Sequence, residues 1–488
     1  MKYLLFFLFI FCRPLEAFES TSSVAVGSKT FTESYILAEI VSQVIEGIGE
    51  TKVQRKLGIG ATGIIYESLR DGQIDIYPEY TGTISETIIK NQKLTTTEEI
   101  NHALESDLKI TESLGFDDNY ALAARDEFAR NNSIKNISDL KNHLDIRGGF
   151  THEFMKRQDG LGALEKFYGM NLTKTKGMEH ALAYESLSEK KIDLIEVYST
   201  DAKIAKYGLV VLNDDKNFFP KYHAVLFYRK AFAEKYPKSF MALQNLVGQI
   251  SEPKMIELNA KVELEKWSFS KTASYFLQKE STASPSTMTT FLQRTKEHLF
   301  LVFVSLIAAI LAGVPLGILA ARFRYLAQIV LLISGLMQTI PSLALLCFLI
   351  PVFGIGYLPA ITALFLYALL PIVRNTYLGL KSIDQRLIES ARTLGLSSYD
   401  RLRLVEVPLA SPTILAGIKL SAVINVGTAT LAAFIGAGGY GAIIVTGLAL
   451  NNTQIILQGA IPSAILAIMV HLFFEFTDRW IIPRGLRV

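Results

Sequence analysis

Five short motifs in the first half of the chain combine tyrosines with acidic and basic residues. They occupy residues 27–33, 76–83, 118–122, 154–160 and 198–201. The face of an aromatic ring attracts a cation, most strongly where water is excluded, whereas a lysine or arginine side chain pairs with a carboxylate. These residue types therefore indicate a binding site suited to a small charged molecule.

A second set of motif residues lies in a charged loop near the other end of the chain. Glu389 and Ala391 are followed by Gly395, and the loop ends with Val405-Glu406-Val407-Pro408. The chain contains no Gly-x-x-x-x-Gly-Lys-Ser/Thr phosphate loop, so it has no evident means of binding the phosphates of ATP.

The elements that must position the first set of motifs are those of an α/β domain. Between residues 23 and 278, short β-branched runs alternate with amphipathic stretches, which is typical of a mostly parallel sheet. Residues 24–27 predict a strand that ends in glycine, and residues 35–46 predict the helix after it. Residues 74–77 and 192–198 predict a second pair of strands, in two pseudo-equivalent lobes.

The composition of the chain changes between its two halves, the first suited to water and the second to a membrane. A polar linker is predicted over residues 279–290, and uncharged runs dominate after it. Five apolar segments are each long enough to cross a membrane as a helix. They are residues 299–321, 326–350, 358–380, 414–435 and 455–476. We therefore expect an all-α membrane domain over residues 291–488.

The charge of the short loops predicts the orientation of this membrane domain. Arg322, Arg324 and the loop 381–419 are basic, whereas the alternate loops carry no charge, so the basic loops are expected in the cytoplasm. Residues 1–17 predict a signal peptide, which agrees with a domain 18–278 outside the cell. The chain has only 2 cysteines, neither of them in that domain, so the domain must be stabilised by its own core.

In order and spacing, the five motifs resemble those of bacterial binding proteins for glycine betaine, carnitine, choline and related betaines. The charged loop resembles the EAA loop of ABC-importer permeases, with Ser390 in place of an alanine and valines in place of Ile and Leu before Pro408. The resemblance implies a two-lobed α/β periplasmic-binding-protein fold of type II, followed by the permease domain of a type I importer. It also implies that the loop forms two short helices that dock on a cytoplasmic ATPase, with a turn at Gly395 and with Glu389, Ala391 and Pro408 as motif residues.

The same resemblance implies a specific set of ligand contacts. The tyrosines expected to surround a trimethylammonium group are Tyr80, Tyr120, Tyr198 and Tyr222. The carboxylate of Asp118 is expected close to the cation. At the opposite end of the ligand, Lys29, Thr83 and Arg157 match family members that hold a carboxylate. A zwitterion is therefore favoured over choline, although His223, where the family has a small or aromatic residue, leaves ergothioneine open.

The sequence thus predicts the binding and permease subunit of an ATP-driven importer for a betaine-type osmolyte such as glycine betaine or carnitine. Choline remains an alternative ligand. We expect a bacterial inner-membrane homodimer in the lipid bilayer, with a periplasmic binding domain, a separate ATPase subunit, and no enzymatic activity, cofactor or metal. Because no basic tract with interleaved aromatics accompanies the net charge of +3, nucleic acid is not an expected partner.

Two other classes of protein fit the sequence less well. A membrane-anchored betaine sensor would need an output domain, and only about a dozen residues follow the last apolar segment. A secondary transporter would need intramembrane acids for ion coupling, and the only candidate, Glu475, lies close to the cytoplasmic end of its segment.

Overall fold

The structure is a computed structural model that describes residues 23–91, 94, 96–143, 145–157, 159–279, 287–450, 452–482 and 485. The predicted signal peptide and residues 280–286 of the predicted linker lie outside the described residues. The strands are β1 Ser23–Gly27, β2 Lys52–Lys56, β3 Ile76–Tyr80, β4 Leu108–Ile110, β5 Tyr120–Arg125, β6 Arg147–Phe150, β7 Lys174–Gly177, β8 Leu194–Tyr198, β9 Leu209–Val211 and β10 Ala224–Arg229.

Helices account for most of the remaining described residues. In the first half they are α1 Thr32–Ile48, α2 Thr62–Arg70, α3 Thr97–Ala103, α4 Asp126–Asn131, α5 Leu161–Tyr168, α6 His180–Ser188, α7 Lys203–Lys206, α8 Lys230–Lys235, α9 Pro237–Gln244, α10 Glu252–Glu263 and α11 Phe269–Phe276. In the second half they are α12 Thr287–Arg322, α13 Arg324–Thr339, α14 Ser342–Phe353, α15 Tyr357–Lys381, α16 Gln385–Thr393, α17 Ser398–Arg401, α18 Val407–Thr428, α19 Tyr440–Ala449 and α20 Thr453–Ile481. Helix α12 thus begins inside the predicted linker.

Two five-stranded sheets form the two lobes of the binding domain. Their strand orders are β2-β1-β3-β10-β4 in lobe 1 and β7-β6-β8-β5-β9 in lobe 2. The two-lobed type II fold is therefore confirmed. As expected, the sheets are mostly parallel, with four of the five strands in each running in the same direction. The exceptions are β10 and β5, which enter their sheets after the chain crosses between lobes and pair antiparallel with both neighbours.

The core of lobe 1 explains why its first helix forms where it does. Helix α1 buries Ile36, Leu37 and Ile40 against the sheet, as helical spacing requires. It ends at Gly49, whose φ of 70° allows its N–H to bond the carbonyl of Glu46. Helix α1 is longer than the predicted 35–46 at both ends, so the motif residue Glu33 lies in its first turn.

Among the described residues of the second half, 4 helices are long and apolar enough to cross a membrane, or up to 5 spans if the bent pair α13 and α14 counts as one. The predicted second span is therefore a broken pair, with an angle of 103° between its helices. Pro341 lacks the N–H that would continue the helix, and Ile340 before it is extended at φ −72° and ψ 125°. The side chain of Gln338 donates a bond to the Tyr367 carbonyl of α15 at 2.9 Å and thereby stabilises the break.

Small residues allow the membrane helices to pack closely. A Cβ on Gly317 of α12 would lie 2.5 Å from the Cβ of Thr376 in α15, so only glycine fits. The binding domain lies against loops at one end of the membrane helices. A Cβ on Gly354 would lie 3.0 Å from the side-chain nitrogen of Gln73, and one on Gly60 would lie 3.5 Å from the Phe434 carbonyl.

Candidate functional site

Three of the four predicted tyrosines, Tyr120, Tyr198 and Tyr222, lie together. Tyr120 is at their centre. Its ring centroid is 5.2 Å from that of Tyr198 and 5.5 Å from that of Tyr222. Strand pairing explains the first contact, because β5 and β8 are antiparallel and place Tyr120 directly opposite Tyr198. The fourth tyrosine, Tyr80, is connected to this group by Phe31. The ring centroid of Phe31 lies 6.3 Å from that of Tyr80 and 5.9 Å from that of Tyr198. We call Tyr80, Tyr120, Tyr198 and Tyr222 the aromatic cage.

Aromatic residues that the sequence did not assign complete this cluster. Phe31 and Phe154 belong to the quoted motifs, and Phe219 lies close to Tyr222 in the sequence. The rings of Phe154 and Phe219 are 5.2 Å and 6.3 Å from that of Tyr120. Their positions within or beside the motifs were the available signal, but a phenylalanine at such a place is equally typical of a core residue.

The backbone and ring of Tyr198 are held by a second group of residues that the sequence did not assign. One carboxylate oxygen of Asp201 accepts bonds from the Tyr198 N–H at 2.9 Å and from the Tyr184 hydroxyl at 2.7 Å, and it lies 2.8 Å from His180 Nε2. The His180 ring is 4.6 Å from the Tyr198 ring. Burial opposes ionisation of Asp201, but the His180 charge and these hydrogen bonds hold its pKa below the usual value.

Two buried carboxyl groups share one hydroxyl beside the cage. The Thr200 hydroxyl lies 2.6 Å from Glu33 Oε2 and 2.8 Å from Asp118 Oδ1, and the Tyr80 hydroxyl donates to Glu33 Oε1 at 2.6 Å. A threonine hydroxyl has only one hydrogen to donate, so one of the two carboxyl groups must supply the other. Burial accordingly raises the pKa of Glu33 to about 7, and burial with the nearby Glu33 charge raises the pKa of Asp118 well above its usual value.

The residues predicted to hold a ligand carboxylate are already paired with acids. Lys29 Nζ is 2.5 Å from Glu79 Oε1 and 5.7 Å from the centroid of the Tyr80 ring. Arg157 donates two bonds to Asp159, at 2.7 Å and 2.6 Å. Its remaining nitrogen, Nη1, is buried and has no hydrogen-bond partner among the described residues, although it lies 3.6 Å from Glu153 Oε1.

The guanidinium of Arg157 also contacts the cage. It lies 5.4 Å from the ring centroid of Tyr120 and 5.9 Å from that of Tyr222, whose hydroxyl donates to Asp159. Thr83 is buried in the turn after Tyr80. His223, in contrast, pairs through Nδ1 with Asp117 at the junction of the lobes. Because Arg157 contacts the rings of Tyr120 and Tyr222, the predicted cation end of the site and its predicted carboxylate end are adjacent.

Polar contacts join the two lobes directly across the cleft. Asn259 of lobe 1 donates from Nδ2 to the Thr200 carbonyl of lobe 2 at 3.1 Å and to Glu33 at 3.0 Å. Thr62 of lobe 1 donates to Glu153 of lobe 2 at 2.9 Å. The site is thus enclosed between the lobes. Within the described residues, no group of three or more histidine, cysteine or acidic side chains could hold a metal ion.

The charged loop forms two short helices, as the resemblance implied. Helices α16 and α17 are joined by a turn in which Gly395 has a φ of 80°, a conformation that other residues rarely adopt. Ala391 is buried, Glu389 is exposed, and Pro408 stands in the first turn of α18. Leu394, Tyr399 and Leu404 expose 80%, 67% and 62% of their surface, so the loop presents apolar side chains that a partner could cover.

Comparison with known proteins agrees with both halves of this description. The family model described as substrate binding domain of ABC-type glycine betaine transport system matches residues 22–279. The model described as binding-protein-dependent transport system inner membrane component matches residues 313–484.

Curated relatives match the second half of the chain. A glycine betaine/carnitine/choline transport system permease protein of Bacillus subtilis (strain 168) is 43% identical over 208 residues, which cover 41% of this chain and 96% of that protein. An osmoprotectant import permease protein of Salmonella typhimurium (strain LT2) is 42% identical over 198 residues, covering 40% of this chain and 92% of that protein.

A solved structure matches the first half. A crystal structure of a glycine betaine/carnitine/choline ABC transporter is 27% identical, covers 52% of this chain and 97% of that chain, and has a TM-score of 0.45. The match of more than half the chain to one family model, together with the permease match, decides the assignment. The chain belongs to the ABC-type glycine betaine transport family, and it is a membrane protein in which the substrate-binding component is fused to the permease component.

Proposed function

We propose that the chain is the binding and permease subunit of an ATP-driven importer for a betaine-type zwitterion. The observation that carries this proposal is the aromatic cage, which adjoins the Glu33 and Asp118 pair on one side and Lys29 and Arg157 on the other. A quaternary ammonium group donates no hydrogen bond, so ring faces and nearby negative charge are its best partners. Calorimetry on the purified full chain tests the ligand class, and tight binding of an amino acid without any betaine would contradict it.

The ligand panel decides among the members of this class. It comprises glycine betaine, carnitine, choline and ergothioneine. We propose that a ligand carboxylate binds the buried Nη1 of Arg157 and the remaining protons of Lys29, since a charge-assisted bond would satisfy a donor that has no hydrogen bond among the described residues. Choline lacks that carboxylate and is therefore expected to bind more weakly than glycine betaine.

Lys29→Ala is expected to weaken glycine betaine binding by roughly 10- to 100-fold and choline binding by no more than about threefold. The physical reason is that only the zwitterion has an anionic group to lose a partner. Titration calorimetry with both ligands on the full chain measures the two ratios. Equal losses for the two ligands would refute the carboxylate role.

Glu79 complicates this variant, because removal of Lys29 leaves its buried carboxylate unpaired. The matched control is therefore the double variant Lys29→Ala with Glu79→Gln, which removes the orphaned charge. In the double variant, too, we expect the affinity for glycine betaine to fall more than the affinity for choline, relative to the wild type.

The affinity for a quaternary ammonium ligand is expected to rise as the pH increases from 5.5 to 8, by about 10-fold in total. The cation favours ionised carboxylates, and the Glu33 pKa of about 7 means that the Glu33 and Asp118 pair retains a proton below that pH. Affinity is therefore expected to rise as the pH increases through about 7 and to fall as the pair takes up a proton. Fluorescence or calorimetric titrations across this range measure the slope.

Glu33→Gln should flatten this profile, because glutamine preserves the hydrogen bonds but removes one of the two titrating groups. Glu98→Gln is the control, since Glu98 is an exposed acid of α3. A slope that persists unchanged in Glu33→Gln would show that another group controls the pH dependence.

We further propose that the binding domain faces the exterior, that two chains form the translocation pathway, and that two ATPase subunits dock on the α16 and α17 loops. The basic loops and the exposed apolar side chains of Leu394, Tyr399 and Leu404 support this arrangement. Uptake of labelled glycine betaine by cells that express the chain with its ATPase tests it. Ligand binding without any uptake would favour the alternative of a sensor.

A further inference from the structure

A buried carboxylate lies where the charged loop that contains α16 and α17, here called the coupling loop, meets the membrane helices, and two arginines flank it. Glu406 Oε2 accepts a bond from Arg322 Nη2 at 2.7 Å, and Oε1 accepts one from Arg401 Nε at 3.0 Å. The side chains of Glu406 and Arg401 are only 6% and 8% exposed. We call Arg322, Arg401 and Glu406 the ion triad.

The three residues belong to three different elements. Arg322 is the last residue of α12, Arg401 is the last residue of α17 in the coupling loop, and Glu406 directly precedes α18. Between Arg401 and Glu406 the chain forms a π-helical turn, Leu402–Glu406. The coupling loop is therefore continuous with α18 along the chain. Its connection to α12 is different: among the ion pairs of the described residues, only those of the Glu406 carboxylate link the loop to α12.

An exposed ion pair would have little effect on geometry, because solvent and side-chain freedom compete with it. The ion triad differs because its acceptor is buried and both of its oxygens are occupied, so loss of Glu406 would leave the buried charge of Arg401 without its ion-pair partner among the described residues. Such an arrangement fixes the end of α12 relative to the loop.

We propose that Glu406 is a positioning residue that transmits movement of the coupling loop to α12. This inference rests on the proposed function, since the movement comes from the ATPase. Helix α12 has 36 residues, and at 1.5 Å per residue it is about 54 Å long, long enough to reach both sides of the membrane. In its outer half Glu297 accepts a bond from the Gly439 N–H at 2.9 Å, in the loop that borders the binding domain. One continuous helix, with Pro315 in its interior, thus connects the coupling loop with the outer loop.

Spin labels on the full chain in nanodiscs test the positioning role without any ATPase. Labels at Phe323 and Leu404, which are 60% and 62% exposed, are introduced after Cys12 and Cys347 are replaced by serine. Glu406→Gln is expected to broaden the distance distribution at least twofold, and Arg322→Lys, which retains the charge, much less. An unchanged distribution in Glu406→Gln would overturn the inference.

Transport measurements then separate positioning from simple stability. In cells or liposomes with the ATPase, Glu406→Gln should lower uptake at least 10-fold, raise the ATP hydrolysed per ligand imported at least fivefold, and leave the ligand Kd unchanged. Arg322→Ala combined with Glu406→Ala should be no worse than Glu406→Ala alone, because the partner of Arg322 is already absent in that single variant. A fall in uptake and hydrolysis in the same proportion would overturn the coupling role.

The control is Lys419→Ala, which removes a more exposed ion pair between α18 and α20, with Lys419 Nζ 3.2 Å from Glu475. It should leave both the label distances and the ATP consumed per ligand unchanged. If the wild-type chain imports nothing while Glu406→Gln still broadens the distances, the proposed function fails and the positioning role stands.

Discussion

Replacing Tyr120 by alanine is expected to weaken glycine betaine binding by roughly 50- to 100-fold. Tyr120 is the centre of the cluster, with Tyr198 and Tyr222 within 5.5 Å and the Arg157 guanidinium 5.4 Å from its ring. The variant removes one ring face, worth about 0.5–2 kcal/mol to a desolvated cation, and also the contacts that position the neighbouring rings, worth about 0.5–1.5 kcal/mol for each pair. Titration of the full chain with glycine betaine measures the loss.

Tyr120→Phe is the matched control, because it retains the ring and removes only the hydroxyl. It is expected to change the Kd by no more than about fivefold. Tyr275→Ala removes a tyrosine that is 42% exposed and lies outside the cage, and it should have no effect. Thermal unfolding establishes that each variant is folded. A Tyr120→Ala protein that is folded and binds glycine betaine like the wild type would exclude the aromatic cage as the cation site.

Gly395→Val is expected to reduce uptake at least 10-fold while the Kd for ligand stays unchanged. Beyond its two chain neighbours, no atom of the described residues lies within 4 Å of a Cβ built on Gly395, so the cost arises from the φ of 80° and not from a clash. A β-branched residue is a genuine outlier at such an angle, and the turn between α16 and α17 must then change. Uptake of labelled ligand and calorimetry on the same preparation measure the two quantities.

Two substitutions separate backbone conformation from side-chain size. Gly395→Asn should retain most of the uptake, because asparagine adopts left-handed angles far more readily than valine. Gly427→Ala, at a glycine in α18 with no atom near its Cβ and an ordinary helical φ, should behave like the wild type. Loss of uptake in Gly395→Asn equal to that in Gly395→Val would mean that the loop requires glycine for close contact with a partner.

Hydrophobic periodicity was sufficient to predict the class of fold, because both lobes bury their sheets under amphipathic helices. It did not predict the direction of β5 and β10, since a short β-branched run looks the same whether its neighbour is parallel or antiparallel. The break at Ile340 was also missed. Residues 326–350 are apolar throughout, and composition does not distinguish a straight span from the bent pair α13 and α14.

The residue types of the candidate site could be predicted from the sequence, but the hydrogen bonds and ion pairs that connect them could not. The motifs supplied the cage, Lys29 and Arg157, whereas the partners Glu79 and Asp159 are acids whose role depends on tertiary contacts. The proton shared between Glu33 and Asp118 depends on the position of Thr200, which comes from the other lobe. Sequence spacing carries no information about such contacts across a cleft.

The short interval between the two halves of the chain limits how far the binding domain can travel. Only eight peptide links separate Lys279 from Thr287, and at about 3.6 Å each they span at most about 29 Å. A domain confined to a sphere of that radius has a local concentration on the order of 10 mM at its own permease. In the proposed importer, docking would therefore need only weak affinity, and weak affinity would allow rapid release after each cycle. Adding free copies of the binding domain should not accelerate uptake.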